Sequence, residues 1–187
     1  MARRRRRWPW VAGVVLILAG AGAMSARPLA FRLVTRKTAT RFPEVRWLPA
    51  DSLVAWLADR GRPAPLLLDA RTAEEYDVSH LPSAERVDPY RPDLKVLGTP
   101  ARDTAIVVYS SAGYRGARVA AWLTGQGYTN VRNLTRGIFG WADDGRPLAS
   151  DAGPAELVHP YDGRWGLLLD AAHRGRQAPV PHESAAP

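Results

Sequence analysis

From residue 45 onward, short apolar runs alternate with segments whose apolar residues recur at helical spacing. Val45-Arg46-Trp47-Leu48 reads as a strand. Leu53, Trp56 and Leu57 follow at i, i+3 and i+4, a helix face that Gly61 ends. Leu66-Leu67-Leu68 is a continuous apolar run of the kind covered on both sides of a sheet. Residues 72–78 predict a short helix, with Thr72 as N-cap and Glu75 at capping-box spacing. Residues 85–87 predict a strand, and 88–104 a Pro-containing loop with one helical turn around Leu94. Ala105-Ile106-Val107-Val108-Tyr109 is the clearest central strand. A polar loop over 110–115 leads from it into a helix over 116–126, with Gly127 as the terminating glycine. A strand at 131–134 and a helix at 138–142 complete the pattern. This alternation predicts an α/β domain built on a parallel sheet. Ligands of such sheets bind beyond the carboxyl ends of the strands. Asp69 and the loop 110–115 therefore lie at the functional edge.

The first 44 residues break the pattern. Five arginines (3–7) precede residues 8–24, which carry no charge at all. Seventeen helical residues rise about 25 Å, close to the hydrocarbon thickness of a bilayer. Trp8 and Trp10 suit the membrane interface. The segment predicts a single-pass anchor over 1–26, followed by a basic linker over 27–44. A cleavable secretory signal ending near Ala21-Gly22-Ala23 fits the same residues. The tighter upstream arginine cluster favours a bacterial-type inner membrane with the domain on the extracytoplasmic side.

Charge follows this division. The net charge is +8, yet residues 1–46 hold eleven of the 26 Lys+Arg and a single acid, Glu44. The remainder is slightly acidic, which argues against nucleic acid as a partner. The chain contains no cysteine, which excludes disulfides, thiolate metal sites and thiol nucleophiles within it. The four histidines show no metal-ligand spacing with carboxylates, so neither a metal nor another cofactor is expected.

The loop Ser110-Ser111-Ala112-Gly113-Tyr114-Arg115, with Gly116 behind it, carries the candidate chemistry. It delivers a strand into a helix N-terminus, where amides lack intrahelical acceptors and the dipole is positive. Gly113 permits positive φ, and Arg115 offers a two-pronged donor to an oxyanion. The expected product is an anion cradle for a small oxyanion or sulfur compound. Asp69 and Arg71, beside the loop, either orient it or form a buried ion pair at the strand end.

Three stretches resemble the rhodanese family in the right order: LLLDARTAEEYDVSHLPSA at 66–84, IVVYSSAGYRGARVAAWLTGQGYTNVRNL at 106–134, and GIFGW with GRPL within 137–148. The resemblance spans 45–148 and implies a rhodanese-like doubly wound parallel sheet flanked by helices. It also implies a loop of cysteine-x-x-glycine-x-arginine whose cysteine accepts a sulfane sulfur. Ser110 stands at that cysteine position. Gly116 stands where the family usually has serine, and Thr135-Arg136 precedes Gly137 where it tends to have an acidic residue and glycine. Arg136 reads as a solvated surface arginine or a further anion contact, and His80 as a scaffold histidine. The expected protein is a membrane-anchored, sulfur-inactive rhodanese-like domain that keeps an anion-binding loop or a protein-docking role. The alternatives are a sulfurtransferase acting on thiosulfate or persulfide carriers with a thiol from a partner, another transfer at Ser110, and a serine engineered in place of a native cysteine. Residues 149–187 form an extension. Its Trp165 and Leu167 to Leu169 are expected to pack on the domain, with a partner-binding face possible there. Residues 177–187 are expected to be disordered.

Overall fold

The computed structural model describes residues 26–93, 95, 98 and 100–175. The apolar segment 8–24, the turn at Leu94 and the tail 177–187 lie outside the described residues. Among those described, no helix is long and apolar enough to cross a membrane.

A helix over residues 26–41 (α1) opens the described chain. Then come β1 (Arg46–Leu48), α2 (Ala50–Ala58), β2 (Leu66–Asp69), α3 (Ala73–Val78), β3 (Ala84–Arg86), β4 (Ile106–Tyr109), α4 (Tyr114–Gly125), β5 (Val131–Leu134) and α5 (Gly137–Asp143). A small antiparallel pair, β6 (Leu148–Ser150) and β7 (Gly153–Ala155), precedes the C-terminal extension. The main sheet has the order β1-β5-β4-β2-β3, and every pairing in it is parallel. The predicted α/β class with a parallel sheet is the observed one.

Alternation along the strands divides the interior in two. Leu67, Val107, Tyr109 and Leu134 face one side, where Leu53 and Trp56 of α2 and Ile138, Phe139 and Trp141 of α5 cover them. Leu68, Ile106, Val108 and Val131 face the other, against Ala117, Val119, Ala120 and Leu123 of α4. Side chains of a strand alternate between faces, so four-residue strands with no polar position are covered twice. Leu57, expected on the buried face of α2, is 43% exposed.

One segment differs from expectation. The stretch read as a linker is helical, because Phe31, Val34 and Thr38 fall on one face. Phe31 joins the α2–α5 core at 3% exposure. The extension is also part of the body: Val158, Leu168 and Leu169 enter the same core. Arg27 at the start of α1 bonds Asp170 at 2.6 Å.

Candidate functional site

β4 ends at Tyr109, and the chain turns through Ser110-Ser111-Ala112-Gly113 into α4. The helix begins at Tyr114, two residues before the expected start. Its N-cap is Gly113 at φ +103°, a conformation glycine adopts without a Cβ penalty. Arg115 therefore sits in the first helical turn.

The carbonyls of Ser110, Ser111 and Gly113 are taken from behind. Ser110 O accepts the Ile138 amide at 2.9 Å and Ser111 O the Phe139 amide at 3.1 Å, both from the start of α5. Gly113 O accepts Asn133 Nδ2 at 2.9 Å and the Ala117 amide at 3.0 Å. Gly137 makes the first of these approaches possible: a Cβ there would lie 2.0 Å from Ser110 O. The preceding Arg136 is held left-handed at φ +64°. By contrast, the amides of Ala112, Tyr114, Arg115 and Gly116 have no acceptor among the described residues. That is the donor set expected of an anion-binding turn. The Gly113 amide bonds Ser110 Oγ at 3.2 Å.

Ser110 is 1% exposed, and its own hydroxyl proton has no acceptor among the described residues. No base touches it. His80 stacks on Tyr76 with centroids 4.1 Å apart and contacts Leu81 O through Nδ1, which makes it a scaffold residue. Nucleophilic use of a serine needs an adjacent base to take its proton.

Arg115 departs from expectation. Its guanidinium does not face an incoming oxyanion but grips Glu75 with both prongs, Nη1 to Oε2 at 2.7 Å and Nη2 to Oε1 at 2.7 Å. Ser111 Oγ closes the cluster, donating to Glu75 at 2.8 Å and accepting from Arg115 at 2.8 Å. Burial pushes the Glu75 carboxyl up. The bonds and charge of Arg115, with Arg71 and Ser111, outweigh that and hold it at about 2. Glu75 also completes the capping box of α3, accepting the Thr72 amide at 3.1 Å. The capping pattern in the sequence located Glu75, but its second partner lies 40 residues away.

Asp69 and Arg71 form a fully buried pair, with Arg71 Nη2 to Asp69 Oδ2 at 2.6 Å and Nε to Oδ1 at 2.9 Å. Arg71 also donates to Ser79 O at 2.5 Å. Neither side chain bonds the loop, so the pair ties β2 to the end of α3 rather than orienting Arg115. Gly116 lies beneath the loop, not on its rim: a Cβ there would meet Asn133 Oδ1 at 2.4 Å and Tyr109 backbone at 3.0 Å. Arg136 pairs with Asp144 at 3.1 Å and lies over Phe31, on the α1 side of the molecule. Among the described residues, no group of three or more His, Asp or Glu side chains could hold a metal ion.

A cavity of about 230 Å³ opens over the loop. Ser110, Ser111, Ala112, Tyr114 and Arg115 form its floor. Its walls are Tyr90, Arg118, Tyr161 and Trp165, none of them a predicted site residue.

A model of the rhodanese-like domain family matches residues 50–144. The chain belongs to this family. The sulfurtransferase of Allochromatium vinosum is 32% identical over 109 residues, covering 58% of this chain and 99% of that protein. The mitochondrial protein HIGH ARSENIC CONTENT 1 of Arabidopsis thaliana is 33% identical over 102 residues, 48% of this chain and 59% of that one. The solved thiosulfate sulfurtransferase of Pseudomonas aeruginosa superposes with a TM-score of 0.51 at 28% identity, over 57% of this chain and 20% of its own. This rhodanese-like domain contains no cysteine, consistent with replacement of the family's catalytic cysteine. Both α1 and the wall residues Tyr161 and Trp165 fall outside the matched range.

Proposed function

We propose that this chain is a membrane-tethered rhodanese-like domain that binds a small anion over residues 110–115 and does not relay sulfur. The observation that carries the reading is Ser110: a hydroxyl oxygen cannot store a sulfane sulfur as a thiol does, and among the described residues no base bonds it to make it a nucleophile. The loop around it keeps its free amides, which supports retained binding without turnover.

Tethering rests on the charge-free residues 8–24 and on the outer face of α1. That face exposes Leu29 and Leu33 at 57% and 52%, flanked by Arg32, Arg36, Lys37 and Arg41. An apolar and basic face directly after an apolar segment suits an anionic lipid surface. The arrangement fits a bacterial-type inner membrane, single-pass, with the domain on the extracytoplasmic side.

A sulfurtransferase that borrows a partner's thiol is the second reading, favoured by the 32% identity to the sulfurtransferase of Allochromatium vinosum. Thiosulfate-to-cyanide transfer tests both. The chain as it stands is expected to be inactive, and Ser110→Cys to turn over because the cradle is intact. Turnover by the serine form overturns the proposal. Inactivity of both forms shows that the cradle no longer presents a sulfur atom correctly.

A further inference from the structure

We infer that the anion bound over residues 110–115 is a small organic monoanion with a flat apolar body, of the aryl sulfonate class, and that the C-terminal extension sets this preference. The inference rests on the anion-binding reading above. Three observations carry it.

The first is the charge balance. Arg71 is cancelled by Asp69 and Arg115 by Glu75 at bonding distance. Arg118 is the remaining cation on the cavity wall. Among the described residues it has no carboxylate partner, bonding the carbonyl of Pro89 and lying 4.6 Å over the Tyr90 ring. One unbalanced cation with uncharged amide donors matches one negative charge. A dianion would leave charge uncompensated against apolar walls.

The second is the donor array. The free amides of Ala112, Tyr114 and Arg115 are joined by the Ser110 hydroxyl, whose proton lacks an acceptor in a residue 1% exposed. Several converging donors suit a group with more than one oxygen, such as a sulfonate.

The third is the wall. Tyr90, Tyr161 and Trp165 surround the floor, and a side-chain hydrogen bond joins Tyr161 to Tyr90. Arg115 lies 4.6 Å under the Tyr161 ring. Tyr161 is held at φ +67°, and its amide donates to His159 Nδ1 at 3.0 Å. Tyr161 and Trp165 belong to the extension, outside the family's matched range. A bare inorganic anion leaves these rings unused, while an aryl group stacks on them.

Calorimetric titration of the full chain in detergent micelles with sodium benzenesulfonate, methanesulfonate and sulfate tests the inference. Benzenesulfonate is expected to bind about tenfold more tightly than methanesulfonate. Trp165→Ala is expected to remove that margin, and Arg118→Met to weaken both sulfonates. Tyr90→Ala, at a position 61% exposed, narrows the margin without a core change. Equal affinity for the three anions, or a margin that survives both aromatic substitutions, overturns the inference and leaves anion binding by the loop standing. Binding of none of the three overturns the anion-binding reading as well.

Discussion

Glu75→Gln removes one charge from the centre of the site and almost no volume. Glu75 is 1% exposed and holds four bonds, two from Arg115, one from Ser111 and one from the Thr72 amide. Two routes give the magnitude. A carboxyl displaced from 4.5 to about 2 on folding corresponds to roughly 3 kcal/mol of native-state stabilisation. Removing one partner of a buried ion pair costs about 3–5 kcal/mol, because the other charge is left uncompensated. Both are a large part of the roughly 5–15 kcal/mol that holds a domain folded. The folded carboxyl lies below its unfolded value, so its contribution is complete above pH 4.5 and is lost as pH falls from there toward 2. Urea unfolding followed by tryptophan fluorescence should show Glu75→Gln destabilised by about 3 kcal/mol near neutrality, with the gap closing through that acid window. A loss under about 1 kcal/mol near neutrality, or a gap of constant size down to acid pH, would refute the account of the cluster.

Other consequences can be measured in the same way. Replacing Glu75 and Arg115 together by leucine should recover most of the single-variant loss, since paired removal leaves no orphaned charge; a double-mutant cycle reads this directly. Gly137→Ala puts a methyl 2.0 Å from Ser110 O at φ +56° and should cost at least about 1–3 kcal/mol in thermal unfolding, with loss of anion binding as the loop moves. Phe31→Ala should cost about 3–5 kcal/mol if α1 is part of the folded body, whereas Leu33→Ser on its outer face should stay within about 0.5 kcal/mol. His159 is buried, which pushes its pKa below 6.5, and Nδ1 must stay unprotonated to accept the Tyr161 amide. Stability should therefore fall as pH drops below 6.5, and His159→Asn should lose that slope when unfolding midpoints are compared across pH.

How far the sequence was legible depends on the range of the forces involved. Continuous apolar runs marked β2 and β4, because a strand covered on both faces leaves no polar position. The Thr72–Glu75 spacing marked the start of α3, because a capping box is closed within four residues. The loop and its free amides followed from a strand running into a helix. The partner of Arg115 did not, because that contact spans 40 residues and depends on how α3 packs against α4. Arginine in such a loop reads as an exposed donor until a buried carboxylate is seen beneath it. α4 starts two residues before the sequence suggests, since a glycine can open a helix as an N-cap as well as interrupt a loop. Within α1, the spacing of Phe31, Val34 and Thr38 is present, but five basic residues dominate the composition. Tyr161 and Trp165 carry no motif. Aromatics in an irregular extension acquire a role only through the surface they fold across.

The clasp between Arg27 and Asp170 ties together the two segments that lie outside the family's matched range. The first helix and the extension brace one another, so a change that frees either is transmitted to the other. Loosening the first helix would reach Tyr161 and Trp165 over the serine loop although no residue of that helix lines the cavity.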